Sequence, residues 1–133
     1  MNSVFADTSY FIALASPSDR FHASALQATR VRRGPLITTA WILAELGNAF
    51  SQRHLRRRFT EIFDRLQNDS TVQIVPADQV LFERGVDLFR ARQDQQWSLT
   101  DCISFVVMKD HGITDALTTD HHFEQAGFNV LLK

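Results

Sequence analysis

The chain has 133 residues, is 44% hydrophobic and 22% charged, and carries a formal net charge of −1. That length favours one domain, residues 1–133, with a core able to hold itself without staples. The lone cysteine, Cys102, excludes an internal disulfide framework and fits a reducing compartment. No stretch approaches the roughly 20 apolar residues of a membrane span. A secretory leader is not expected, because the start lacks a basic region followed by an apolar one; cytoplasm is the default location.

The first apolar run, Ser3 to Ala6, is too short for a helix and reads as a buried strand. A helical stretch from Tyr10 to Ala15 follows, stopped by Ser16-Pro17-Ser18. Asp19 is an N-cap candidate for a helix to about Val31, with Phe21, Ala25 and Ala28 on one face. Arg33-Gly34-Pro35 breaks that helix, and Leu36 to Thr38 reads as the second strand.

Thr39 then caps a helix carrying Trp41, Ile42, Glu45, Ala49 and Phe50. The next helix runs from about Leu55 to Asn68, with Phe59, Ile62, Phe63 and Leu66 at helical spacing. Val72 to Val75 is short and β-branched, hence a strand. A helix from about Asp78 to Gln93 follows. Ser98-Leu99-Thr100-Asp101 looks like a capping box opening an apolar helix to about His111, ended by Gly112. Ala116 to Thr119 reads as the fourth strand, His121 to Ala126 as a short helix, and Asn129 to Leu132 as a last strand. Short strands alternating with helices predict an α/β fold around a mainly parallel sheet of four or five strands, with right-handed crossovers.

Four acids fall where such a fold places its chemistry, beyond the carboxyl ends of the strands. Asp7 closes Val4-Phe5-Ala6 and Asp120 closes Ala116-Leu117-Thr118-Thr119; Asp101 opens the apolar helix, and Glu45 lies in the first turns of another. Each has a structural alternative. Asp7 and Asp120 are placed to cap the helices that follow them, Asp101 to stabilise a helix dipole, and Glu45 to be a solvated side-chain tip or to pair with a nearby arginine. Taken together, crowded carboxylates repel unless a cation or a proton separates them. A divalent ion resolves the crowding, and Mg²⁺ prefers such an all-oxygen site, with Mn²⁺ the alternative. His121 and His122 are not expected to chelate one ion together, because consecutive helical side chains point apart.

Of 14 basic residues only Lys109 and Lys133 are lysines. Arginine grips phosphate in a planar fork, and Arg53, Arg56 and Arg57 lie in the denser of two arginine clusters, at a helix–helix junction. They are candidate contacts for flanking phosphates, or solvating helix ends.

Four segments in order carry a resemblance over nearly the whole chain: Val4-Phe5-Ala6-Asp7-Thr8-Ser9, the acid Glu45, Leu99 through Phe105, and Leu117 through Phe128. With these, the chain resembles the PIN-domain family, and more closely its toxin branch, the VapC-type endoribonucleases. The resemblance implies a three-layer α/β/α fold and a metal-dependent nuclease centre of Asp7, Glu45, Asp101 and Asp120. Asp7 and Asp101 would be the firmest Mg²⁺ ligands, with Ser9, Ser104 and Thr119 as accessory polar residues. Where many members carry a further acid, His122 stands two residues past Asp120. The resemblance also implies an RNA substrate, an antitoxin partner and a homodimer. A phosphatase with an acid pair after strand one is excluded by Ser9, which stands where the second acid belongs. A silent PIN scaffold that binds RNA or a protein without cutting is the competing reading.

Overall fold

A computed structural model describes residues 2–133. Its strands are β1 (Val4–Ala6), β2 (Leu36–Thr39), β3 (Val72–Val75), β4 (Asp115–Leu117) and β5 (Asn129–Val130). They form one five-stranded sheet in the order β3-β2-β1-β4-β5, and every pairing is parallel. The helices are α1 (Thr8–Ala15), α2 (His22–Val31), α3 (Ala40–Ala49), α4 (Arg56–Asn68), α5 (Gln79–Ala91), α6 (Leu99–Asp110) and α7 (His122–Gln125).

The chain leaves β1 toward β2 on one side and reaches β4 from β3 on the other, so strand order reverses at β1. Because crossovers are right-handed, the two directions of travel put their helices on opposite faces. The crevice beyond the carboxyl ends of β1 and β4 is therefore a topological switch point, where such sheets bind ligands. This is the expected α/β/α architecture, with the sheet wholly parallel.

Packing locks β1 at the centre. Phe5 and Ala6 are fully buried, and the Thr38 hydroxyl donates to the Ala6 carbonyl at 2.9 Å, tying β2 to β1. Beneath α6 the Phe105 ring meets Trp97 at 5.0 Å, Phe123 at 5.0 Å and Phe128 at 5.6 Å. These contacts fix α6 and α7 against each other, and those two helices carry or adjoin Asp101 and Asp120. No helix among the described residues is long and apolar enough to cross a membrane.

Element limits differ from expectation in places with clear causes. α2 begins at His22 rather than at Asp19, because the Asp19 carboxylate accepts from the Phe21 amide at 2.8 Å and closes a turn instead. α1 begins two residues early, at Thr8, directly behind Asp7. β4 ends at Leu117, since the amides of Thr119 and Asp120 turn to the hydroxyls of Ser9 and Thr118.

Candidate active site

Parallel register places the first acid. Ala6 pairs with Leu117, so Asp7 and Thr118 emerge side by side from β1 and β4. Asp7 occupies the N-cap position of α1 yet makes no side-chain capping bond, so the capping alternative does not hold. Its Oδ2 instead accepts from Thr118 Oγ1 at 2.7 Å and from Ser9 Oγ at 3.0 Å. Thr118 Oγ1 in turn accepts from the Asp120 amide at 3.0 Å, and Ser9 Oγ from the Thr119 amide at 3.1 Å. One hydroxyl lattice thus ties Asp7 to the loop carrying Asp120.

Asp7 is only 7% exposed. Burial pushes its carboxyl up to about 6; the Thr118 and Ser9 hydroxyls and the Thr8 amide oppose that rise, and the Asp101 charge adds to it.

Asp101 is fully engaged as a helix cap. Ser98 Oγ accepts from its amide at 3.0 Å and its Oδ2 accepts from the Ser98 amide at 3.1 Å, the predicted capping box. The structural alternative is therefore true of Asp101, and it coexists with a place in the cleft. The same holds for Asp120, whose Oδ1 accepts from the His122 amide at 2.9 Å. Glu45 takes no arginine partner among the described residues; its Oε1 accepts from Thr8 Oγ1 at 2.7 Å. α3 projects it there because Thr39 caps that helix, its hydroxyl accepting from the Ile42 amide at 3.1 Å.

All four acids line one cleft of about 570 Å³, together with Thr8, Ser9, Thr119 and both histidines. No lysine or arginine lines it. Four carboxylates on one cleft, one of them buried, with two histidines and no lysine or arginine among them form a donor set that suits a divalent cation. A larger hollow of about 740 Å³ lies elsewhere, between Val4, Val31 and Leu131, and contains no acid.

Other predicted residues lie apart. Ser104 is one turn beyond Asp101 on α6, fully buried, and its hydroxyl has no hydrogen-bond partner among the described residues; it does not line the cleft. Arg53, Arg56 and Arg57 are exposed at the α3–α4 junction and also lie outside the lining. Arg56 donates to the Ser51 carbonyl at 3.1 Å, and Arg57 pairs with Glu61 at 3.1 Å.

Two residues of the site escaped the sequence reading. Thr118 was legible only as a polar residue closing a core strand. His122 was set aside with His121 on the expectation that the two point apart, but their rings lie 4.5 Å apart and the ligand atoms of Asp120, His121 and His122 fall within 4.8 Å of one another; His122 is the more buried of the two, with Nδ1 3.1 Å from Asp101 Oδ2.

The PIN-domain family model matches residues 4–129, and the chain belongs to that family. It is 29% identical over 127 residues to the 23S rRNA-specific endonuclease VapC20 of Mycobacterium tuberculosis, covering 94% of this chain and 95% of the relative. The crystal structure of M. tuberculosis VapC20, described as a sarcin–ricin loop cleaving toxin, matches with a TM-score of 0.89 at 23% identity, over 98% of this chain and 99% of that one. FitAcB from Neisseria gonorrhoeae matches at 0.68 and 15% identity, over 96% of both chains. A toxin–antitoxin complex from Klebsiella pneumoniae matches at 0.63 and 22% identity, over 89% of this chain and 87% of that one.

Proposed function

We propose that this chain is a metal-dependent endoribonuclease, a single domain acting as the toxin of a toxin–antitoxin pair. The observation that carries this is the convergence of Asp7, Glu45, Asp101 and Asp120 on one cleft without lysine or arginine, at the switch point of the sheet. The full-length likeness to a 23S rRNA-specific endonuclease supports the substrate class and makes the sarcin–ricin region of 23S rRNA the first RNA to test.

Asp7 and Asp101 would hold Mg²⁺ or Mn²⁺, which when bound polarises a phosphoryl oxygen and acidifies a water for in-line attack. Ser9 and Thr118 keep the Asp7 carboxylate aimed by fixing Oδ2. Thr119 belongs to the same lattice through its amide, and Thr8 orients Glu45. Glu45 and Asp120 position water or substrate. Arg53, Arg56 and Arg57 would grip phosphates flanking the cut. The presence of a toxin–antitoxin complex among the structural relatives supports an antitoxin partner; a homodimer is proposed on the resemblance alone.

The test is incubation of the purified chain with a sarcin–ricin fragment and other structured RNAs, in Mg²⁺, Mn²⁺ or EDTA. Cleavage should need the metal and fall about a hundredfold or more in Asp7→Asn and in Asp101→Asn. Cleavage that persists in EDTA overturns the metal mechanism. Binding without cleavage by the intact chain supports the silent scaffold instead.

A further inference from the structure

A second hollow, of about 290 Å³, adjoins the acidic cleft where α5 ends and α6 begins. Gln96 lines both, so the hollow continues the cleft along the loop between these helices. Its other walls differ in kind: Phe89, Arg92, Trp97 and the side-chain amides of Gln93 and Gln95, with no acid among the described residues. Arg92 follows Phe89 by three residues at the end of α5, so the two share one side of it. The Arg92 guanidinium lies over the Trp97 ring, 4.9 Å from its centroid. Asp94 accepts from its Nε and Nη2 at 3.0 Å each. Trp97 is fixed in turn, its Nε1 donating to Gln125 Oε1 at 3.1 Å and its ring meeting Phe105 edge-on. The guanidinium is thus braced by a ring and a carboxylate, yet the Arg92 side chain stays 42% exposed, and Phe89 is 50% exposed.

We propose that this hollow takes one unpaired base of the RNA beside the cut, stacked on Arg92 and Phe89 and met at its edge by Gln95 and Gln96. This rests on the reading of the acidic cleft as a ribonuclease centre. An arginine whose fork is already filled by a carboxylate makes a poor phosphate grip, and what it has left to offer is its flat face. Guanidinium planes and aromatic rings both stack unpaired bases. Each glutamine amide brings donors and an acceptor, the groups that meet base edges. The cleft holds the phosphate and the hollow the neighbouring base, which fixes the register of the strand at the acids.

The experiment compares two labelled probes by fluorescence anisotropy: a short single-stranded RNA of random sequence, and the same strand built of stable abasic nucleotides. The full chain carries Asp101→Asn throughout, so that the RNA stays whole. The preference for the strand with bases should fall about tenfold in Arg92→Ala and in Phe89→Ala. Arg92→Lys keeps the charge but not the flat face, and should lose the preference equally while keeping the salt dependence. Arg90→Ala removes a charge two residues away, outside the hollow, and should keep the preference. Should Arg92→Ala fail to fold by circular dichroism, Phe89→Ala, at an exposed side chain, carries the comparison. An unchanged preference in Phe89→Ala and in whichever Arg92 variants fold overturns the base site and leaves the nuclease reading standing. Full preference in Arg92→Lys reduces Arg92 to a charge contact and overturns the stack. No binding of either strand, by this chain or by the unsubstituted chain in EDTA, overturns the nuclease reading itself.

Discussion

Thr118 Oγ1 donates to Asp7 Oδ2 across 2.7 Å, joining residues 111 positions apart in the chain. The same oxygen accepts from the Asp120 amide at 3.0 Å, so one buried hydroxyl aligns two acids. Replacing it with Val keeps the shape, strips a partly buried amide of its partner and leaves the buried Asp7 Oδ2 with the Ser9 hydroxyl alone. Thr118→Val should cost about 1–3 kcal/mol of stability. It should also lower cleavage more than its loss of folded protein explains. Urea unfolding and single-turnover cleavage, measured on the same preparations, separate the two effects; cleavage at the wild-type rate would remove Thr118 from the site's support.

Asp7 gives the metal-free protein an unusual pH response. Its carboxyl is raised from an ordinary 3.8 to about 6, burial being the main cause. Below 3.8 the folded and unfolded chains both hold the proton, and the contribution is fully present. Between 3.8 and 6 the unfolded chain releases it first, so stability is lost as pH rises, by about 3 kcal/mol in all. Asp7→Asn has no such proton. In EDTA, the stability of Asp7→Asn relative to wild type should therefore climb from pH 4 to pH 7 and level off above. Added Mg²⁺ or Mn²⁺ should shrink the difference at pH 7, because the ion stabilises the charged carboxylate. A flat difference across that range would mean Asp7 is not held in a desolvated site.

Gly85 sets the distance between the two helices that precede β4. A Cβ at this position would collide with Ile103 Cγ1 on α6, and Ile103 is itself buried two residues beyond Asp101. Gly85→Ala should overpack that seam by about 1–3 kcal/mol, despite the better helix propensity of alanine. Thermal unfolding checks the sign. A stabilised variant would show that α5 can slide on α6 without cost.

The strands and three of the acids were readable because each acid ends or begins an element whose apolar run is local in sequence. Val4-Phe5-Ala6 before Asp7 and Ser98 through Asp101 carry their own signals, periodic burial and a capping box. What was not readable depends on register and on turns. The Thr118–Asp7 bond exists because Ala6 pairs with Leu117, and nothing near either residue announces that pairing. The inward turn of His122 follows from the loop after β4, where Asp120 Oδ1 takes the His122 amide. Asp19 misled for the reason it attracted notice: its carboxylate does capture a backbone amide, that of Phe21, in a turn that delays the helix.

The α3–α4 arginines test whether RNA contact extends beyond the cleft. Arg53, Arg56 and Arg57 are exposed and lie outside the acidic lining, so their loss should leave metal binding intact. Each phosphate contact released should reduce the slope of log affinity against log salt, by about 0.7 for a single strand. In an Asp101→Asn background, which binds without cutting, Arg56→Ala with Arg57→Ala should weaken RNA binding at low salt and flatten that slope by about one to two contacts' worth. The Arg57–Glu61 pair is an exposed i,i+4 contact, worth a few tenths of a kcal/mol, so folding should be little changed. Fluorescence anisotropy from low to moderate salt measures this directly. An unchanged slope would confine RNA recognition to the acidic cleft and its rim.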